Sequence, residues 1–362
     1  MGNSNKKKLK ENKSNKDSTN NTKKNQDLST CIVQIEKYKP TKLAFNLIKK
    51  LDASDTIEEV IVYPDLKDSI IIACRKGEIK EVSNITSSSK ESADIITLYS
   101  FSKRIYSLIM LKKNSKNLCV GLDDEIVILN LKLNEKHILS TVNNLICKEE
   151  GSINSLLELE NGNIISAGKN IILWKKDSSS QYIQVNSISA GLTRIINIIE
   201  FPLYNTIIAT QEETHIIFLL KNNKDSIELI KKKENIPSIW YKGSAQNLSK
   251  NAMILIGKFE MDVIDPTNGE INAKYPGIDR GTLLNFSENY HENDLWIVTN
   301  YMGRYLEFYK QEGNDLLYFE KYEFDESEII GWGNRMVKIN NEYFASINHY
   351  GNIFVFKVKI LE

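Results

Sequence analysis

The chain has 362 residues, 41% of them hydrophobic, and its 47 basic and 47 acidic residues give a formal net charge of zero. Residues 1–30 hold eight lysines and three acids, which leaves 39 basic and 44 acidic residues in the remainder. That acidic remainder excludes a broad nucleic-acid surface, which needs clustered Lys and Arg. The chain contains neither an apolar run long enough to span a membrane nor the apolar segment of a signal peptide, so we expect a cytoplasmic protein.

Residues 1–35 differ in composition from everything that follows. Lys, Asn and Ser dominate, and residues 1–30 contain no aromatic side chain. Such a segment has too little apolar surface to offset the conformational entropy that folding removes. The composition therefore predicts a disordered tail over residues 1–35 and a single folded domain over residues 36–362.

The first eight residues, MGNSNKKK, resemble an N-myristoylation site. Gly2 becomes the first residue once Met1 is removed, and lysines follow at once. The resemblance implies a lipid on Gly2, with residues 1–24 as the basic patch that a single acyl chain needs to hold an anionic membrane surface. The motif prefers Ser or Thr at the sixth position, where this chain has Lys6. The alternative is an unmodified, solubilising tail.

The rest of the chain is organised as seven repeats. The clearest copy is the segment IILW at 171–174, which has a large apolar residue at its first position and another three residues later. The other copies begin at Ile79, Ile126, Ile216, Met261, Tyr305 and Ile353. Successive copies start 44 to 48 residues apart, which is the length of one propeller blade and too long for ankyrin or tetratricopeptide repeats.

Each repeat is predicted to contain four β-strands. The segment just described is the third strand, and a short apolar strand that ends in turn residues precedes it, as in IIIACRKG at 70–77. Another apolar run lies upstream, as in IEEVIVYP at 57–64, and a more polar, alternating run lies downstream, as in ITLYSF at 96–101. A more amphipathic last strand fits an order from the centre of a blade to its outer edge.

The seventh repeat begins near Met336 and ends after its third strand. We predict the missing fourth strand in AFNLIKK at 44–50, which precedes the first repeat and resembles LIKK at 229–232 of the fourth. Pairing both ends of the domain in one sheet removes the open seam of a linear array. The predicted fold is all-β: a seven-bladed β-propeller of four-stranded antiparallel blades, closed by an N-terminal strand.

These repeats, with small residues in the strand before each IILW-like segment, resemble the WD40 repeats of propellers such as the G-protein β subunits, over residues 44–362. Trp174 stands where the Trp of the family's Trp-Asp dipeptide falls, but Lys175 follows it and the Gly-His dipeptide is missing. The resemblance implies a degenerate, WD40-like propeller that serves as a non-catalytic scaffold for protein or peptide partners, without a cofactor.

In propellers of this kind, the hairpins between second and third strands share one face with the connections between blades. The resemblance therefore implies a partner-binding rim on that face. Its candidate residues are Arg75, Lys76, Asp123, Asp124, Lys169, Gln211, Glu212, Lys258, Tyr301, Arg304, His349 and Tyr350. Mixed charge with aromatic and arginine side chains suits a protein or peptide partner better than a polyanion.

The competing class is an enzyme, a hydrolase or lyase with its site in the central channel. Only four histidines are available for it, His137, His215, His291 and His349. No nucleophile elbow, phosphate-binding loop or zinc motif is present, so no catalytic or metal-binding residue is predicted. A phosphoinositide-binding propeller would be expected to show paired arginines, as in FRRG, whereas the arginines here are isolated in the sequence. Cys74 and Cys119 lack metal-ligand spacing and are interpreted as core residues.

Overall fold

The structure is a computed structural model that describes most of the chain from residue 43 onwards. The described residues are 43–64, 66, 68–87, 93–113, 116–132, 138–147, 151–191, 193–212, 216–234, 244–257, 260–276, 280–287, 294–300, 303–324 and 333–360. The tail predicted over residues 1–35 and the lipidation site at Gly2 lie outside them. Within this part of the chain, no helix is long and apolar enough to cross a membrane.

The described residues form 28 strands in seven antiparallel sheets of four strands each. Blade 1 contains β2 to β5: Ile57–Val62, Ile70–Cys74, Glu78–Ser83 and Asp94–Ser100. Blade 2 contains β6 to β9: Ser107–Met110, Asn117–Gly121, Glu125–Lys132 and Ile138–Ile146. Blade 3 contains β10 to β13: Ser155–Glu158, Ile164–Ala167, Asn170–Lys176 and Tyr182–Ser189. Blade 4 contains β14 to β17: Ile195–Phe201, Thr206–Gln211, Ile217–Asn222 and Ile227–Lys233.

The remaining blades follow the same order, apart from the last. Blade 5 contains β18 to β21: Ala245–Ser249, Ala252–Ile256, Glu260–Ile264 and Ile271–Pro276. Blade 6 contains β22 to β25: Arg280–Asn285, Leu295–Asn300, Tyr305–Glu312 and Asp315–Glu323. Blade 7 contains β26 to β28: Gly333–Lys338, Tyr343–Asn348 and Asn352–Ile360, together with β1, Leu43–Asp52. The predicted seven-bladed propeller is confirmed, and a short 3₁₀ helix, Pro202–Tyr204, lies between β14 and β15.

Strand β1 closes the ring as predicted. It pairs antiparallel with β28, from Leu43 opposite Ile360 to Asp52 opposite Asn352. Phe45 of β1 stacks on Phe356 of β28, with the ring centroids 4.9 Å apart. The fourth strand of the last blade is therefore supplied by the first strand among the described residues.

The core is divided into seven apolar clusters, one between each pair of neighbouring blades. Strand β3 shows why its sequence is apolar throughout: Ile70 and Ile72 pack towards blade 7, whereas Ile71 and Ala73 pack towards blade 2. Successive side chains of a strand point to opposite faces, and here both faces are covered. Cys74 and Cys119 are fully buried core residues, as predicted.

The third and fourth strands of every blade share one irregularity. The register shifts by one residue in each of the seven pairs, between Ile79 and Lys80 in blade 1 and two or three residues further along the repeat in the other blades. Such β-bulges increase the local twist of a sheet. The repeated sequence thus produces a repeated backbone feature at the outer edge.

Candidate partner-binding face

The hairpins between second and third strands lie beside the connections that lead into the next blade. Backbone hydrogen bonds join the two kinds of loop, from Phe101 N to Gly77 O (2.8 Å), Ala190 N to Lys169 O (3.1 Å) and Phe324 N to Arg304 O (2.9 Å). Both kinds of loop therefore occupy one face of the propeller, hereafter the hairpin face. The turns between first and second strands, including 202–205, lie on the opposite face because neighbouring strands are antiparallel.

The hairpin of blade 1 is fixed tightly against the connection to blade 2. Gly77 has a φ of +98°, and a Cβ at this position would lie 2.5 Å from Lys103 O and 2.6 Å from Phe101 O. Only glycine fits this backbone conformation and this close approach. The loop positions on this face are therefore set by the backbone and not by side chains alone.

Two arginines converge on one carboxylate at the junction of blades 1 and 2. Glu58 Oε1 accepts from Arg75 Nε and from Arg104 Nη2, each at 2.6 Å. The Arg104 guanidinium also lies over the ring of Tyr106, 4.6 Å from its centroid. Arg75 and Arg104 are isolated in the sequence but paired in space, because the hairpin of blade 1 lies beside the connection that leads into blade 2.

The hairpin of blade 7 joins the same cluster. Burial lowers the pKa of His349, and the nearby charge of Arg75 adds to the effect, while Glu58 opposes it. Its imidazole is therefore neutral near pH 7. Tyr350 is 63% exposed, and its ring centroid lies 6.2 Å from that of His349. The structure thus brings the candidate residues Arg75, His349 and Tyr350 together.

On blade 2 the two candidate aspartates bond to the connections on either side of their own blade. Asp124 has a φ of +53°, and its Oδ1 accepts a hydrogen bond from Gly151 N. Asp123 accepts a hydrogen bond from Tyr106 and, with burial as the larger cause, raises the pKa of that phenol. Both side chains therefore fix the hairpin of blade 2 to neighbouring connections between blades.

The candidates on blades 3, 4 and 6 are divided between exposed and buried positions. Lys169 and Arg304 are exposed. Gln211 is buried, and its Nε2 donates to Ala190 O (3.2 Å) and Thr193 O (3.0 Å), so its side chain holds a blade connection and offers no accessible group. Glu212 pairs with Arg194 at 2.5 Å. Lys258 and Tyr301 lie outside the described residues.

Acidic side chains on the hairpin face bond within the protein, whereas several basic side chains there do not. Each described acid at these loops already has a protein partner: the carboxylates of Asp55, Glu58, Asp123, Asp124, Glu125 and Glu212 all accept hydrogen bonds or form ion pairs. Lys76, Lys169 and Arg304 are exposed, and their side chains have no hydrogen-bond or ion-pair partner among the described residues. The charge left to face a partner is therefore positive.

The central channel is lined by the first strands of the blades and encloses a cavity of about 230 Å³. Its lining is mixed and not simply apolar. The charged groups are Glu59 and Arg335, which form an ion pair with each other at 2.9 Å. Polar residues such as Ser107 and Asn197 bond to protein atoms. Among the described residues, no three His, Cys, Asp or Glu side chains are grouped to hold a metal ion.

Sequence reasoning missed Glu58, Lys103, Arg104 and Tyr106 as members of this face. They lie in a first strand or in a connection between blades, whereas most of the predicted rim residues lie in the hairpins. No local motif marks them. Superimposing the repeats on a ring is the signal that would have placed Arg104 beside the hairpin of blade 1.

Searches of known proteins show the fold. The WD40 β-propeller domain of Doa1 superimposes with a TM-score of 0.64 at 13% identity, covering 87% of this chain and 97% of that one. A chain in the mitotic checkpoint complex superimposes with a TM-score of 0.65 at 10% identity, covering 90% of this chain and all of that one. No protein-family model and no curated protein sequence matches the chain. The chain therefore has the fold of a WD40-type β-propeller.

Proposed function

We propose that this propeller is a non-catalytic scaffold that binds a protein partner through its hairpin face. The structural neighbours support the general class, since one of them is part of a multi-protein complex. The observation that carries the proposal is the set of hairpins held by backbone bonds, with the exposed side chains of Lys76, Lys169, Arg304 and Tyr350 at their tips. A rigid surface loses little entropy when a partner binds.

The charge of this face selects the kind of partner. Because the acids are already bonded within the protein and the exposed cations are not, a segment with carboxylate side chains gains attraction without breaking internal ion pairs. Tyr350 adds a large exposed aromatic surface, a residue type enriched in binding hot spots. The proposed partner is therefore a protein segment that combines acidic and apolar side chains.

The test is quantitative affinity purification from cells with the full chain and with the double variant Lys76→Glu, Tyr350→Ala. We expect the variant to capture at least about tenfold less of a bound partner than the wild type, because substitution of hot-spot residues weakens binding by that much or more. Lys221→Glu is the matched control, because it makes the same change of charge at the end of β16 that points to the opposite face.

A captured set of proteins that is identical for wild type and the double variant would contradict binding at this face. Unchanged urea unfolding of the double variant has to accompany a loss of binding, so that the loss reports the surface and not the fold. A screen of hydrolase and lyase substrates on the same sample tests the enzyme alternative.

We further propose that the N-terminal tail tethers the propeller to the cytoplasmic side of a membrane. Its support is the sequence alone: Gly2 after Met1, and the lysines within residues 1–24. Intact-mass measurement of the N-terminal peptide from eukaryotic cells should show a myristoyl group that the Gly2→Ala variant lacks. An acetylated or unmodified Gly2 rules the tether out.

A further inference from the structure

The outer strand of blade 3, β13, is an open sheet edge. Strand β12 lies on one side of it, and the described residues place no strand on the other side. An edge strand presents backbone N–H and C=O groups to which a further strand can bond. The outer strands of all seven blades share this geometry, so their side chains decide which edges are protected. These strands are β1, β5, β9, β13, β17, β21 and β25.

Charged side chains protect most of these edges but not β13. Five of the seven outer strands contain Asp, Glu or Lys, from Asp94 alone in β5 to four charged residues in β17. The eight residues of β13, YIQVNSIS, include no charge, no proline and no glycine. Strand β9 is also uncharged, but among its described side chains only Ile146 is a large exposed hydrophobic residue. Because charges and proline are what keep an edge from pairing, β13 is open to another strand.

Exposed aliphatic side chains are concentrated on β13 and on β17, the outer strand of the next blade. Ile183 and Val185 of β13 and Leu229 and Ile230 of β17 are between 43% and 53% exposed. They are four of the eight large hydrophobic residues that are exposed in the described part of the chain. Apolar residues grouped in this way on a surface mark a site of interaction.

Two of these side chains face each other across the groove between blades 3 and 4. Ile183 lies opposite Lys175, which reaches blade 4 and forms an ion pair with Asp225. Leu229 lies opposite Leu220, which belongs to the apolar cluster between the two blades. Residues opposite each other in an antiparallel pair share one face of the sheet. Ile183 and Leu229 therefore line the two sides of the groove beside the open edge.

A single extended segment fits this surface better than a second copy of the chain does. Four half-exposed aliphatic side chains supply much less than the about 800 Å² that each partner buries in a standard interface. Because the blades radiate from a common centre, the outer strands of neighbouring blades turn away from each other, and a second propeller would meet few of them at once. The bordering charges of Lys175 and Lys231 are already paired within the chain, so an uncharged segment matches this edge.

We propose that β13 accepts an extended, uncharged segment of another protein as a fifth strand of blade 3. The backbone of that segment bonds to the outward N–H and C=O groups of β13, and its alternate aliphatic side chains pack on Ile183 and Leu229. In strand addition of this kind, main-chain hydrogen bonds give affinity and the sites for alternate side chains give specificity. The inference goes beyond the scaffold function proposed above, because it adds a binding surface at the side of the ring.

The test uses the full chain and the peptide fluorescein-Gly-Thr-Ile-Thr-Val-Thr-Ile-Thr-amide. We expect binding by fluorescence anisotropy, and hydrogen exchange followed by mass spectrometry should show new protection confined to residues 182–189. The matched peptide has N-methyl groups on two successive residues, Thr and Val, at its centre. It keeps every side chain but loses backbone donors on both of its edges, so it should bind at least about tenfold more weakly.

Variants separate this edge from the rest of the surface. The double variant Ile183→Lys, Val185→Lys gives β13 the charges that other outer strands have, and should weaken the peptide at least about tenfold without changing urea unfolding. Leu229→Ala should weaken it about threefold through lost apolar contact. Ile96→Lys, at an equally exposed position on β5, is the matched control and should leave binding unchanged.

Three results would overturn the inference. The first is equal binding of the methylated and unmethylated peptides, which would mean apolar contact without strand addition. The second is the absence of new protection at residues 182–189. The third is a dimer of the full chain in analytical ultracentrifugation that the double lysine variant does not form, which would assign the edge to a second copy. The hairpin-face variant Lys76→Glu, Tyr350→Ala should bind the peptide as wild type does, so the two proposals fail independently.

Discussion

The joint between blades 6 and 7 is packed with aromatic side chains, whereas the joint between blades 4 and 5 is packed mainly with aliphatic ones. Phe45, Phe308, Phe344 and Phe356 pack together where β1 closes the ring, with centroid separations of 4.9 to 5.9 Å for the Phe45 pairs with the other three. Between blades 4 and 5 the packing residues are mainly aliphatic, such as Ile208 and Leu255.

The second joint also contains a buried charge site. Asp262 pairs with Leu255 across the strands and so lies on the side of blade 5 that faces blade 4. It is completely buried, its oxygens have no hydrogen-bond partner among the described residues, and Lys274 Nζ is 3.8 Å away. Burial, with a smaller contribution from Glu260, raises the pKa of Asp262 to about 7.

We expect the aromatic joint to contribute more to the free energy of unfolding than the joint that contains Asp262. This closing joint, between blades 6 and 7, includes β1, which comes from the opposite end of the domain to its partner β28, so the strand pairing and the aromatic packing hold β1 in the last blade. Aromatic pairs contribute about 0.5–1.5 kcal/mol beyond their buried area. All strands at the joint between blades 4 and 5 come from one continuous segment, residues 195–276, and this joint contains an unfavourable carboxyl group.

The largest expected effect is at the closing joint. Phe356→Ala removes a fully buried ring that stacks on both Phe45 and Phe344, and should lower the free energy of unfolding by about 3–5 kcal/mol. Urea denaturation followed by tryptophan fluorescence measures it. Ile183→Ala, at a half-exposed position on β13, is the control and should change stability by less than about 0.5 kcal/mol. If the two variants lose similar amounts of unfolding free energy, the aromatic packing at the closing joint has no special role in stability.

Asp262→Asn probes the other joint. The folded protein holds the Asp262 proton up to about pH 7, whereas the unfolded carboxyl releases it near 3.8. The wild type therefore loses stability as the pH rises from 3.8 to about 7. At pH 8 the variant should be more stable by up to about 4 kcal/mol, with little difference near pH 4. Urea unfolding of both proteins at pH 4 and pH 8 measures this difference. If the free energy of unfolding changes with pH equally in the two proteins, the raised pKa of Asp262 is contradicted.

Phe45→Ala tests the contribution of β1 to ring closure. Because Phe45 is only partly buried, the expected loss is smaller than for Phe356, about 2 kcal/mol. The two rings touch, so the double variant should lose less than the sum of the single losses, by about 0.5–1.5 kcal/mol. Strict additivity in urea unfolding would show that the stack between β1 and β28 contributes nothing of its own.

The smallest expected effect is at His349. Its folded pKa lies below the ordinary 6.5, so the unfolded state binds more protons and stability falls as the pH drops through that value. Burial is the largest cause of this lowered pKa, Arg75 and Arg104 lower it further, and Glu58 opposes them. His349→Asn should reduce the dependence of the unfolding midpoint on pH between about 7.5 and 5.5. An unchanged slope would place the titrating group elsewhere.

The sequence predicted the ring because the repeat itself encodes it. One apolar pattern recurring every 44 to 48 residues reports the blade, and a last repeat with three strands reports the missing partner at 44–50. Both signals depend on strand pairing and burial, which constrain residue type directly. The bulge beside each third strand had no such signal, since it changes the backbone register and not the residue type.

The sites were predicted less completely because they join residues from different repeats. Glu58 meets Arg104 only because blade 1 lies beside blade 2. Gln211 shows the opposite error: its position in a hairpin suggested exposure, but its amide turns inward to the backbone of a neighbouring loop. Composition alone does not tell which way a loop side chain turns.

Ring closure also has a consequence for biosynthesis. Strand β1 leaves the ribosome early, yet Leu43 finds its partner only in Ile360. At about 5–20 residues per second, roughly 15 to 60 s pass before that partner is made. Through this delay β1 is an unpaired edge, and its polar residues, such as Lys50 and Asp52, keep nascent chains on neighbouring ribosomes from pairing with it.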